Sequence, residues 1–142
     1  MSVATILKHK GSEVATASVE TPLAEVAGVL DQRRIGAVVI TGPDGEVEGI
    51  VSERDIVSSI ARNGPEVLSR AAGEVMTRDV HVCKPADSIY DLMNVMTEQR
   101  IRHLPVVVDG KLQGIVSIGD VVKHRIAEIE FEANEMKRYI TS

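Results

Sequence analysis

The chain repeats itself. Gly49-Ile50-Val51-Ser52-Glu53-Arg54-Asp55-Ile56-Val57 returns 65 residues later as Gly114-Ile115-Val116-Ser117-Ile118-Gly119-Asp120-Val121-Val122, and Asp44-Gly45 returns at the same offset as Asp109-Gly110. Upstream, Gln32-Arg33-Arg34-Ile35 matches Glu98-Gln99-Arg100-Ile101 at an offset of 66. The extra residue falls in the first copy's turn, Thr41–Gly45, where an insertion is tolerated. Each copy must therefore be one supersecondary unit. A unit of roughly 65 residues is marginal alone, so the two are expected to pack together with pseudo-two-fold symmetry. Gly64-Pro65 marks the seam, dividing the chain into 1–66 and 67–142.

Both copies read in the order strand, helix, strand, strand, helix, behind a short leading helix (Val3–Lys8; Ala72–Thr77). The first strand is Val14–Ala17 in one copy and Val80–Cys83 in the other. Leu23, Val26, Ala27 and Leu30 recur at helical spacing, as do Ile89, Leu92, Met93 and Met96. Thr21-Pro22 and Asp87-Ser88 supply the starts, through a first-turn proline and a capping side chain. Hairpins then follow around Asp-Gly: Ala37–Ile40 with Val47–Val51, and Leu104–Val108 with Leu112–Val116. The fold class is mixed α/β. Aromatic residues are only 2% of the chain, so the core is aliphatic.

A net charge of −5 argues against sequence-independent nucleic-acid binding, which needs a basic face. No apolar run approaches the ~18 residues that span a membrane, and the start lacks a signal-peptide pattern. A cytoplasmic location is expected. Cys83, the sole cysteine, excludes an intrachain disulfide and reads as a half-buried structural thiol rather than a nucleophile. No zinc-binding histidine pair, activated nucleophile or phosphate loop with Gly-Lys-Ser/Thr occurs, so no enzyme is expected.

The two Gly-Ile-Val-Ser-x-x-Asp segments carry the chemistry. Each sets a serine where a strand becomes a helix and an aspartate three residues on. Such a junction favours an anion, through the positive end of the helix dipole and its unpaired amides. A carboxylate offers two acceptors to the adjacent hydroxyls of a ribose. Ser-x-x-Asp is also a plain helix-capping pattern. Motif chemistry alone leaves the two readings level.

Taken with Ile101-Arg102-His103-Leu104-Pro105-Val106-Val107, Glu74-Val75-Met76-Thr77 and Ile35-Gly36-Ala37-Val38-Val39, these segments resemble the CBS domain family over essentially the whole chain. The resemblance implies a disc-like pair of repeats whose clefts bind an adenosine-containing ligand: AMP first, with ADP, ATP, NAD(H) or S-adenosylmethionine as further candidates. It implies Ser52 and Asp55 as phosphate and ribose contacts in one cleft, and Ser117 and Asp120 in the other. The adenine wall would come from the opposite repeat: Thr77, Val82, Arg102 and His103 facing Asp55, and Thr16, Gly36 and Ala37 facing Asp120. Arg54 is expected near the phosphate or paired with an acid, and Lys10 is expected to compensate in the second cleft. Arg102 and His103 align with Gly36 and Ala37, so the clefts are not equivalent. The implied role is regulatory, acting on a protein the sequence does not name. The alternative is a structural dimerisation module whose Ser and Asp only cap helices.

After Gly119 no glycine or proline interrupts the chain, so the last helix is expected to run nearly to the end. Val122, Ile126, Ile129, Ala133, Met136 and Ile140 recur at alternating spacings of four and three, a heptad seam. That seam predicts a homodimer, the alternative being a tail that folds back over the first repeat.

Overall fold

The computed structural model describes residues 1–141. Two mixed α/β halves follow one another. The first contains α1 (Val3–Lys10), β1 (Thr16–Ala17), α2 (Leu23–Arg33), β2 (Ala37–Thr41), β3 (Val47–Ser52) and α3 (Glu53–Asn63), then a 3₁₀ turn at Pro65–Ser69. The second contains α4 (Ala72–Val75), α5 (Ile89–Gln99), β4 (His103–Val108), β5 (Lys111–Ser117) and α6 (Ile118–Thr141). β1 pairs parallel with β2, while β2–β3 and β4–β5 are antiparallel hairpins. Asp109 and Gly110 both take positive φ (51° and 76°), as a two-residue hairpin loop requires.

The expected second-copy strand at Val80–Cys83 is reduced to a single parallel bridge, Cys83 to Val106. The reason is Pro105. In the first copy the Val39 amide donates to the Ala15 carbonyl at 3.0 Å; Pro105 holds the matching position and has no N–H. Two bonds through Cys83 survive, from its amide to the Pro105 carbonyl and from the Val107 amide to its own carbonyl, each 2.9 Å. The start of α2 also differs. Pro22 sits at the N-cap rather than in the first turn, and its carbonyl accepts from Glu25 at 3.0 Å. Ser88 caps α5 as expected, accepting from the Asp91 amide at 3.0 Å.

Two aliphatic cores form, and the leading helices are exchanged between them. Val3 and Ile6 of α1 are buried with Ile89, Leu92, Leu104 and Val116 of the second half. Ala72 of α4 is buried with Leu23, Val38 and Val51 of the first. The backbone makes the exchange reciprocal: Val3 donates to the Asp87 carbonyl at 2.9 Å and Ala72 to the Thr21 carbonyl at 2.7 Å. Apolar burial stabilises each crossing, at roughly 1.5–3 kcal/mol per fully buried Val, Leu or Ile. Through this exchange each half contributes residues to the other half's cleft. Among the described residues no helix is long and apolar enough to cross a membrane.

Candidate functional site

Both serine–aspartate motifs sit where a hairpin strand turns into a helix, and both are complete caps. The Ser52 amide donates to Asp55 Oδ2 at 2.8 Å, the Ser52 hydroxyl donates to the same oxygen at 3.0 Å, and the Asp55 amide donates to Ser52 Oγ at 3.2 Å. The Ser117 amide donates to Asp120 Oδ2 at 2.9 Å, and the Asp120 amide to Ser117 Oγ at 3.2 Å. Capping engages one carboxylate oxygen in each case. It thereby fixes the carboxylate and leaves the second oxygen outside the cap. Capping and ribose recognition are compatible uses of one side chain.

Around Asp55 lies a cavity of about 240 Å³ lined by Gly36, Ile50, Ser52, Glu53, Arg54, Asp55, Thr77, Arg100, Ile101, Arg102 and His103. Thr77 arrives from the second half because its backbone bridges Ile50, with bonds of 2.9 and 3.0 Å in the two directions. That bridge ends α4 at Val75, two residues short of the expected Thr77. Its hydroxyl stands 3.5 Å from Asp55 Oδ1, a weak contact. Arg54, Arg100 and Arg102 form no ion pair or side-chain hydrogen bond among the described residues. Three permanent cations thus share a small space with two carboxylates, those of Glu53 and Asp55.

A second, larger cavity of about 910 Å³ is lined by Lys10, Glu13, Val14, Ala15, Arg33, Arg34, Ile35, Gly36, Ala37, His103, Ile115 and Ser117. Its lining carboxylate is Glu13; Asp120, capped by the lining Ser117, does not line it and is held by Lys10. Lys10 Nζ lies 2.7 Å from Asp120 Oδ2 and donates also to the Ile115 carbonyl at 3.0 Å. Burial alone would raise the Asp120 carboxyl. The Lys10 hydrogen bond, the Ser117 amide and hydroxyl, and the Lys10 charge outweigh it and hold the group below the ordinary carboxylate range.

His103 belongs to both cavities. Its ring lies over Gly36: a Cβ built on that glycine would stand 2.9 Å from Cε1 and Nε2. Gly36 is therefore small because the imidazole of the other repeat occupies the space above it. Burial lowers the His103 pKa first, and Lys10 and Arg102 lower it further against the opposing pull of Glu53 and Asp120. The ring is neutral near pH 7, with one N–H donor and one acceptor nitrogen.

Of the residues singled out by sequence, Ser52, Arg54, Asp55, Thr77 and Arg102 converge on the smaller cavity, Lys10, Ala37 and Ser117 on the larger, and Gly36 and His103 on both. Asp120, expected as the ribose contact of the second cleft, lines neither because Lys10 holds it, and Val82, 49% exposed, and the exposed Thr16 line neither. Arg34 and Arg100 were not anticipated as cleft residues. Each caps a helix in the left-handed conformation, with φ of 53° and 55°, at matched positions of the repeat. That conformation is rare for a side chain of this size, and the Arg-Ile repetition at 34 and 100 marks only that the two positions are equivalent. Cys83 is buried, and desolvation with Asp87 nearby pushes its thiol up to about 12, so it is an inert packing residue.

Known proteins share this architecture. The family model described as "CBS domain" matches residues 7–62 and 72–127. A 33.4 kDa protein encoded in the ribosomal RNA operon of Thermofilum pendens is 41% identical over 102 residues, 72% of this chain, and the chain spans only 33% of that relative's length. The crystal structure of the CBS-domain containing protein ATU1752 from Agrobacterium tumefaciens superposes with a TM-score of 0.85 at 42% identity, covering 88% of this chain and 99% of that one. Protein PAE2072 from Pyrobaculum aerophilum, complexed with AMP, gives a TM-score of 0.74 at 27% identity over 84% of this chain and 89% of that one. The domain pair of protein MJ0100, in complex with 5′-methylthioadenosine and S-adenosyl-L-methionine, gives 0.80 at 25% identity over 90% of this chain and 98% of that one.

Proposed function

The chain belongs to the CBS domain family, and from that premise we propose that it is a regulatory module, not a catalyst, which signals occupancy by an adenosine ligand to a partner protein. AMP is the leading ligand; ADP, ATP, NAD(H) and S-adenosylmethionine share the adenosine that the clefts address. Relatives with the same pair of repeats hold AMP in one case, and 5′-methylthioadenosine with S-adenosyl-L-methionine in another. The working unit is a homodimer joined through the exposed face of α6. Neither nucleic acid nor membrane is part of the reading, given the net charge of −5 and the absence of a spanning helix among the described residues.

One observation carries the proposal. The capped Asp55 carboxylate, Thr77 from the opposite half and three unpaired guanidiniums line one cavity. A carboxylate beside clustered cations is the pairing that a ribose joined to a phosphate requires. A ligand with one end only, sugar or anion, would leave half of these groups unused. The cavity, at about 240 Å³, lies just under the ~300–1,000 Å³ of small-ligand pockets. Entry therefore needs a small rearrangement, for which the exposed Arg54 and Arg102 side chains and the His103 ring are available.

The competing reading is a structural module in which Ser52, Asp55, Ser117 and Asp120 cap helices and nothing binds. The completeness of both caps favours it to that extent. Thermal unfolding in AMP, ATP, NADH and S-adenosylmethionine separates the two. A ligand at 100 times its Kd stabilises the fold by about 2.7 kcal/mol. Absence of both a thermal shift and calorimetric heat with all four ligands, on folded protein, leaves only the structural reading.

A further inference from the structure

Two histidines meet where α1 packs on α6. α1 belongs to the first half in sequence but lies on the second, with Val3 and Ile6 buried in its core. That exchange brings His9, in the last turn of α1, beside His124, just beyond the first turn of α6. Their ring centres stand 5.5 Å apart, with the planes inclined at 58°. Neither ring lines the two clefts.

Both rings are set in the same way. His9 Nδ1 lies 2.9 Å from the Thr5 carbonyl and His124 Nδ1 lies 2.9 Å from the Asp120 carbonyl, each one turn back on its own helix. A carbonyl oxygen only accepts, so each Nδ1 carries the hydrogen. In a neutral imidazole that leaves Nε2 with a lone pair and no hydrogen. Neither Nε2 has a hydrogen-bond or ion-pair partner among the described residues. The rings cannot satisfy one another, because both free nitrogens are acceptors; a shared electrophile satisfies both. An Nδ1–H bonded to a carbonyl is also what fixes tautomer and ring direction in metal-ligating histidines. The spacing agrees. With metal–nitrogen bonds of about 2.0–2.1 Å and each ring centre about 1 Å behind its nitrogen, two imidazoles on one tetrahedral ion stand about 5 Å apart. The C-terminal end of α1 favours a cation through its dipole, while the opposite dipole of α6 fades within its first turn, before His124. Lys10, next to His9, has its charge matched by Asp120 at 2.7 Å.

We propose that His9 and His124 bind one divalent transition-metal ion of the imidazole-preferring kind, with Zn²⁺ as the type, through their two Nε2 atoms. No cluster of three or more His, Cys, Asp or Glu side chains able to hold a metal occurs among the described residues. The remaining coordination positions are therefore left to water or a small anion. The ion clamps α1 to α6 beside the Lys10–Asp120 pair, and its binding requires no nucleotide in either cleft.

Zinc chloride added to the intact chain, freed of metal by a chelator, tests the site. Calorimetry should show one ion per chain, and zinc should raise the melting temperature, since it binds the folded arrangement. Histidine ¹⁵N NMR should show the Nδ1–H tautomer at His9 and His124 before zinc is added, and movement of both Nε2 signals afterwards. His9→Gln and His124→Gln should each weaken zinc binding about tenfold or more, because the second imidazole closes on an ion already held beside it. Each should also abolish the thermal shift. Glutamine keeps an N–H donor for the Thr5 or Asp120 carbonyl, so both variants should fold. His81→Gln, at an exposed position elsewhere, should change neither readout. Zinc held equally well by both single variants is an adventitious surface ion and overturns the site. Absence of binding to the wild type, or Nε2 signals that zinc leaves unmoved, overturns it as well.

Discussion

The two clefts divide what a nucleotide site needs. Around Asp55 the chemistry is open, with a carboxylate oxygen met only by a 3.5 Å contact and three unpaired arginines, but the space is tight at about 240 Å³. Beside Ser117 the space is ample at about 910 Å³, but Asp120 does not line it: Lys10 holds that carboxylate at 2.7 Å. For the proposed ligand to bind, one cleft of the duplicated sequence would have to widen and the other to exchange an ion pair for it. The divergence lies in few residues. Gly36 and Ala37 of the first copy stand where Arg102 and His103 stand in the second, and the leading helix ends at Lys10 in one and at Val75 in the other.

The largest effect should come from deleting the carboxylates. Asp55→Ala removes two hydrogen bonds from an ionised acceptor to the ligand, each worth roughly 1.5–3 kcal/mol. AMP affinity at that cleft should fall at least about a hundredfold. Asp120→Ala should cost clearly less, because its carboxylate must first part from Lys10. Calorimetry on both variants decides this, and equal losses would remove the distinction between the clefts. Arg102→Ala comes next. It should weaken the Asp55 cleft by about 1.5–3 kcal/mol, as for one hydrogen bond to a charged group, and leave the Asp120 cleft unchanged. Loss at the Asp120 cleft instead would break the assignment of Arg102 across the repeats.

How much of this was legible in the sequence depends on range. The hairpins, α2, α5 and the Ser/Asp junctions follow from patterns a few residues long, and they stand where those patterns place them. What needed the third dimension was the exchange of leading helices. Lys10 meets Asp120 across 110 positions of sequence, so the lock on the second cleft has no local signature. The loss of the strand at Val80–Cys83 turns on Pro105 in another element, although a proline at a mid-ladder position is a readable warning. Arg34 and Arg100 were in view as part of the repeat. Their left-handed backbone was not, because Arg has no special preference for that conformation.

Lys10→Met asks whether the second cleft is locked by the ion pair. The pair is partly exposed, with side chains 31% and 22% accessible, so the cost in stability near pH 7 should be about 1 kcal/mol or less. Because the folded Asp120 pKa is depressed, its contribution exists above the unfolded value and is lost as pH falls through the folded one. The gap between wild type and Lys10→Met should therefore close in acid. Adenosine, which has a ribose and no phosphate, should bind the variant more tightly. AMP should gain little, since the freed carboxylate is offset by a lost cation. Carboxyl NMR titration follows Asp120 directly, and an unmoved Asp120 pKa would show that Lys10 does not control it.

The smallest expected effect belongs to the imidazole that stands between the clefts. His103 is held neutral by burial, then by Lys10 and Arg102, against Glu53 and Asp120. Its folded pKa lies below the unfolded value of about 6.5. Between those two values the unfolded chain binds more protons, so stability falls as pH drops through that window, by at most about 1.4 kcal/mol per pH unit for one group. His103→Gln should flatten this slope while keeping a hydrogen-bonding side chain over Gly36. Ligand binding should show the same linkage in reverse. A phosphate beside Arg54, Arg100 and Arg102 adds negative charge near the ring, raises its pKa and draws in part of a proton. The apparent enthalpy of AMP binding near pH 6 should then differ between buffers of unlike ionisation enthalpy, and adenosine should show no such difference. In His103→Gln the His103 share of the proton exchange should be lost, leaving only the share of the phosphate, whose second pKa is about 6. Because the ring lines both cavities, proton uptake at the first cleft also changes what the second one meets: a doubly donating imidazolium in place of a neutral ring with a single N–H. An equal buffer dependence in wild type and His103→Gln would mean that the phosphate lies away from His103, and that the ring only divides the two clefts.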